Sequence, residues 1–131
     1  MTRFVVDASA VIHLANKRLE VSDDHELLAP TLLRSQTLSM LHEAVGRGEL
    51  PAAVALDHLE CIWRMRIRLL GDAVLRRRAW EVAERLGWSD TYNAEYIALT
   101  QLQADAFVTR DASLARSVKG IVATASIDAL R

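Results

Sequence analysis

The strongest constraint on this chain is an alternation. Short runs of β-branched and aromatic residues recur between longer stretches of helical period. Arg3-Phe4-Val5-Val6 reads as a buried strand ending in Asp7, and Asp7-Ala8-Ser9 offers capping oxygens to a helix over Ala10 to Lys17. Leu27-Leu28-Ala29 reads as a second short strand, stopped by Pro30. From Thr31 the spacing is helical, placing Leu32, Gln36, Ser39, Met40 and Glu43 on one face until Gly46 and Gly48 end it. Pro51 suits a first helical turn, and a helix is expected over Ala52 to Arg66. Ile67-Arg68-Leu69-Leu70 is a strand closed by Gly71, and Asp72 caps a helix that runs through Leu86 to Gly87. Ser89 or Asp90 caps a further helix to about Gln103. Ala106-Phe107-Val108-Thr109 is a strand, and a short helix over Ala112 to Val118 and a strand near Ile121-Val122-Ala123 complete the pattern. Strands that alternate with helices predict a three-layer α/β/α domain around a mainly parallel central sheet, a single domain over residues 1–131.

Composition narrows the class. At 131 residues, with 51% hydrophobic and 25% charged residues, the chain is one domain able to bury one core. A net charge of −1 excludes a strongly basic nucleic-acid binder as a description of the whole chain. Arg64, Arg66, Arg68, Arg76, Arg77 and Arg78 nevertheless cluster, and both a solvated helical surface and an RNA-phosphate track fit them. The single Cys61 can form neither an internal disulfide nor a cysteine-based metal site, and reads as a small buried residue. No uncharged run is long enough to span a bilayer, and no signal-peptide-like stretch opens the sequence. The expected setting is a reducing cytoplasm, away from membranes.

In open α/β sheets, ligands bind beyond the carboxyl ends of the strands. Asp7 and Asp111 fall there, after Phe4-Val5-Val6 and after Phe107-Val108-Thr109. The first strand runs into a carboxylate instead of a glycine-rich phosphate loop, which argues against dinucleotide or Walker-type binding. Converging carboxylates suit a hard divalent cation, Mg²⁺ or Mn²⁺. Each acid also precedes a helix and can simply be a cap. Asp90, Asn93, Ala94 and Ile97 share a face at the start of the late helix, where small Ala94 and Ala98 allow close approach to the sheet. Glu95 lies about 140° from Asp90 at 100° per residue and reads as solvated or paired. His13, His25, His42 and His58 show no ligand spacing, and Trp63, Trp80 and Trp88 read as core or interface.

Taken together, four segments resemble PIN-domain proteins, specifically the VapC toxins of bacterial toxin–antitoxin pairs. They are Val5-Val6-Asp7-Ala8-Ser9-Ala10, Leu28-Ala29-Pro30-Thr31-Leu32-Leu33, Tyr92-Asn93-Ala94-Glu95-Tyr96-Ile97-Ala98-Leu99 and Ala106-Phe107-Val108-Thr109-Arg110-Asp111. The resemblance implies an Mg²⁺- or Mn²⁺-dependent endoribonuclease that cleaves an RNA substrate, forms a homodimer and is neutralised by a VapB-like antitoxin. It also implies four acids. The first maps to Asp7 and the fourth to Asp111, whereas the second falls on Gln36 and the third on Asn93, so two appear as amides. Asp90, one turn before Asn93, can restore a charge. Glu43 lies about 10 Å beyond Gln36 along its helix, which makes direct ligation doubtful. The implied metal residues are therefore Asp7, Asp90, Asn93 and Asp111, with Asp7, Asp90 and Asp111 catalytic and with Ser9 and Thr109 as supports or caps. Leu38, Leu41, Leu59, Ile62 and Trp63 are candidates for the dimer and antitoxin surfaces, or for ordinary core. The alternative is a degenerate PIN domain that binds RNA or protein with weak or no nuclease activity.

Overall fold

A computed structural model describes residues 1–131. The chain runs β1 (Thr2–Val6), α1 (Ala8–Lys17), β2 (His25–Pro30), α2 (Leu32–Gly46), α3 (Ala52–Arg64), β3 (Ile67–Leu70), α4 (Ala73–Leu86), α5 (Tyr92–Gln103), β4 (Ala106–Val108), α6 (Ala112–Ser117), β5 (Thr124–Ala125) and a closing 3₁₀ turn (Ile127–Leu130). The strands form one sheet in the order β3-β2-β1-β4-β5, and every pairing is parallel. Parallel strands need helical crossovers, which cover the sheet on its faces. Val5 and Val6 of the central β1 are accordingly both fully buried, although they point to opposite sides. Helix α5 lies along β1, β2 and β4 with α4 packed on it, while α1, α2 and α3 form a second packed group. No helix is long and apolar enough to cross a membrane.

Local chemistry sets the element ends. Asp7, Asp72 and Asp111 each place a side-chain oxygen on a first-turn amide, of Ala10, Leu75 and Leu114 respectively. Gly87 closes α4 in the left-handed region at φ 69°, where its amide reaches the carbonyls of Ala83 and Glu84.

Several boundaries differ from expectation, each for a physical reason. Pro51 is extended at ψ 150° and stands as the N-cap of α3, one position before the first turn. The same helix stops at Arg64, because Met65 must turn extended to feed β3. The last strand is Thr124–Ala125, not Ile121–Ala123. After α6 the amides of Ile121 and Val122 both return to the Val118 carbonyl, with Gly120 at φ 83°, so the chain reaches the sheet edge only at Ala123. The buried face of α2 is Leu33, Thr37 and Leu41, so the Leu32-to-Glu43 stripe lies mostly outward. Trp63 and Trp80 are not core: they are 66% and 64% exposed. Cys61 is half-buried and free.

Candidate functional site

Because the sheet is wholly parallel, all its carboxyl ends lie on one edge. The register pairs Val6 with Val108, so Asp7 and Thr109 are the next residues across that edge. The Asp7 amide still donates to the Val108 carbonyl at 3.3 Å, which fixes the two loops side by side.

Asp7 is the centre of the arrangement. It is only 7% exposed, yet none of the chain's ion pairs involves it. Its Oδ1 accepts from the Ser9 hydroxyl at 2.7 Å and from the Ala10 amide at 3.0 Å, and its Oδ2 accepts from the Thr109 hydroxyl at 2.5 Å. The two hydroxyls are themselves locked: Ser9 Oγ accepts from the Arg110 amide at 2.9 Å, and Thr109 Oγ1 from the Asp111 amide at 3.1 Å. Burial pushes the Asp7 carboxyl above its ordinary range. Hydrogen bonds from Thr109, Ser9 and Ala10 pull it back, and the nearby Asp111 charge pushes it up again. Ser9 and Thr109 therefore hold the Asp7 carboxylate directly, as well as shaping the turns.

The remaining expected residues divide. Asp111 is exposed and sits one hydrogen-bonded step from Asp7 through Thr109; one of its oxygens is used to cap α6. Gln36 is held by a partner that sequence reasoning did not pick out. The hydroxyl of fully buried Tyr96 donates to Gln36 Oε1 at 2.5 Å. Burial, with the charges of Asp7 and Glu95 nearby, raises the Tyr96 hydroxyl pKa far above the ordinary phenol value, so it remains a donor. Gln36 and Tyr96 are 60 positions apart, and only a tertiary contact links them. Asn93 lies exposed in the first turn of α5.

Asp90 is outside α5, in the bend before it, and accepts from the Tyr92 amide at 3.2 Å. Helical spacing therefore does not extend back to it, because Thr91 is the N-cap and stands between. Glu43 turns the other way, taking a hydrogen bond from Ser39 and pairing with Arg47 at 3.8 Å. Glu95 is neither fully solvated nor paired: it is half-buried, and burial raises its carboxyl pKa.

A divalent cation can be tested against these residues. No group of three or more His, Cys, Asp or Glu side chains converges anywhere in the chain. What the edge offers is two carboxylates, Asp7 and Asp111, close enough for the Asp111 charge to act on Asp7, while the Gln36 amide oxygen is held by Tyr96. Asp7 is buried without a counter-cation and is raised further by its acidic neighbour. That is the charge imbalance a divalent ion corrects, and Mg²⁺ commonly uses only one or two carboxylates plus water and substrate phosphate. The donor set fits such an ion, with less charge than four acids would bring.

No family model and no curated protein sequence matches the chain. Solved structures do. PAE2754 from Pyrobaculum aerophilum superposes at a TM-score of 0.77 with 24% identity, covering 98% of this chain and 92% of that one. VapBC2 from Rickettsia felis, bound to a DNA fragment from its promoter, gives 0.64 with 11% identity, over 95% of this chain and 98% of that one. VapBC-1 from nontypeable Haemophilus influenzae gives 0.59 with 11% identity, over 96% and 98%. An all-parallel five-stranded sheet with six helices, superposing over nearly its full length on such chains, has the PIN-domain, VapC-like fold.

Proposed function

We propose that the chain is a divalent-metal-dependent endoribonuclease of the VapC toxin type, which hydrolyses RNA phosphodiester bonds in the cytoplasm. The observation that carries this reading is the buried, uncompensated Asp7 carboxylate, tied through the Thr109 hydroxyl to the Asp111 backbone amide at the carboxyl edge of a VapC-like sheet. Asp7, Asp111 and the Gln36 amide oxygen would hold Mg²⁺ or Mn²⁺. When bound, the ion supplies Lewis acidity and positive charge beside the phosphodiester. Ser9, Thr109 and the Ala10 amide keep the Asp7 carboxylate in one orientation, and Tyr96 does the same for Gln36. Asn93 and Asp90, at the start of α5, are the further donors in this reading.

Partners follow from the same reading and from exposed apolar surface. Leu38 and Trp63 are 52% and 66% exposed, and Trp63 borders an apolar hollow of about 380 Å³ with Leu33, Ile62, Met65 and Leu69. Surface of this kind suits a homodimer contact or a VapB-like antitoxin segment. Leu41 and Leu59 are buried and serve the core instead, and Ile62 is buried at the wall of the hollow.

A second reading, a non-catalytic PIN domain, is favoured by one observation. Gln36 Oε1, at a position where the resemblance leads one to expect an acid, is occupied by a neutral hydrogen bond from Tyr96. A gel assay on structured RNAs in Mg²⁺, Mn²⁺ or EDTA separates the two. The nuclease reading expects cleavage with either ion and none in EDTA. Retarded but uncut RNA under all three conditions would establish the binding module.

A further inference from the structure

A groove of about 530 Å³ is lined by Ser9 and by residues of α1, α2 and α3. Ser9 is also a hydrogen-bond donor to Asp7, so the groove is continuous with the carboxylate site. Its walls carry two arginines in opposite circumstances. Arg47 is held by Glu49 at 2.7 Å and by Glu43 at 3.8 Å. Arg110 has no carboxylate partner. Its Nη1 instead lies 3.5 Å from the Nε2 of His13, whose pKa is lowered by burial and by the charges of Arg110 and Lys17.

We propose that Arg110 is a phosphate-binding residue that seats the RNA backbone at the mouth of this groove, next to the Asp7–Asp111 edge. The placement rests on the nuclease reading above. The binding chemistry rests on the groove itself. A guanidinium without an anionic partner presents its donor fork to a phosphate without first breaking an ion pair, and arginine suits phosphate oxygens in a bidentate geometry. The Arg110 backbone is fixed, because its amide donates to Ser9 Oγ at 2.9 Å, so the side chain departs from a rigid point one residue before Asp111. Glu43 and Glu49, which also line the groove, neutralise Arg47 and repel phosphate. The backbone is thereby directed to Arg110 and away from Arg47.

The test is RNA binding in an Asp7→Asn protein, which keeps the RNA intact. The probe is a fluorescein-labelled RNA hairpin with a single-stranded loop, titrated in Mg²⁺ at several salt concentrations. Adding Arg110→Ala should weaken binding about tenfold and reduce the slope of log K against log salt by about 0.7, the loss of one single-strand phosphate contact. Arg110→Lys should keep the slope and recover part of the affinity, since charge remains but the fork is lost. Arg47→Ala should change the affinity less than twofold. Unchanged affinity and slope in Arg110→Ala, or equal losses for both arginines, would overturn the assignment. Failure of the nuclease reading has a separate signature: native protein that never cuts RNA, while Arg110-dependent binding persists.

Discussion

Asp7 carries opposed demands. Its folded pKa is raised by burial, so the metal-free folded state holds the proton more tightly than the unfolded chain does. Stability from this group is therefore present below the unfolded carboxylate value and is lost as pH rises through the raised folded value. Metal-free protein should melt at progressively lower temperature as pH climbs from about 4 through the raised Asp7 pKa, until this term is exhausted. Asp7→Asn should flatten this contribution and melt a few degrees higher than the native protein in EDTA at pH 7, as thermal scans across pH would show. Asparagine retains the oxygen for Ser9 and Ala10 and turns an N–H toward Thr109 Oγ1, so the network survives the change. Thr109→Val, by contrast, strips a hydrogen bond from the charged form and should cost about 2 kcal/mol at neutral pH. The loss should be smaller in an Asp7→Asn background, which a double-mutant cycle measures. Asn93→Asp adds a charge at an exposed helix start near the proposed ion, and calorimetric titration should show Mn²⁺ binding several-fold tighter. Unchanged affinity would remove Asn93 from the ion's surroundings.

At the scale of elements, what could be read from sequence followed local signals. Asp72 and Gly87 delimit α4 because a cap oxygen and a left-handed glycine act within a few residues. β3 was legible for a similar reason, as the apolar run Ile67–Leu70 closed by Gly71. Gly87→Ala should destabilise the fold by about 1 kcal/mol, through backbone strain alone, since nothing lies within 4 Å of the added methyl group. Chemical denaturation would measure it. Where tertiary contacts decide, the sequence was silent. β5 shifted because the turn after α6 consumes Ile121 and Val122. The α2 stripe read from periodicity is real, yet the core takes the neighbouring face through Leu33, Thr37 and Leu41. Asp90 was assigned helical spacing that the bend before α5 does not provide.

Across the whole molecule, the sheet order brings together residues about a hundred positions apart, and the candidate site exists only because of it. Asp7 and Asp111 were visible as acids at strand ends, but the Thr109 hydroxyl that ties the Asp7 carboxylate to the Asp111 amide requires β1 and β4 to be neighbours. The Tyr96–Gln36 contact likewise needs α2 and α5 to meet. Exposed Leu38 and Trp63 belong to this scale too, as side chains the folded monomer leaves uncovered. Light scattering at micromolar concentration should report a dimer, and a monomer at every concentration would remove that role from the surface. The most direct measurement is cleavage of a labelled structured RNA in Mg²⁺ by native protein and by Asp7→Asn in parallel. Native protein should cut and Asp7→Asn should not, although the variant folds normally. Cutting by Asp7→Asn at the native rate would contradict the assignment of the Asp7 edge as the catalytic metal site.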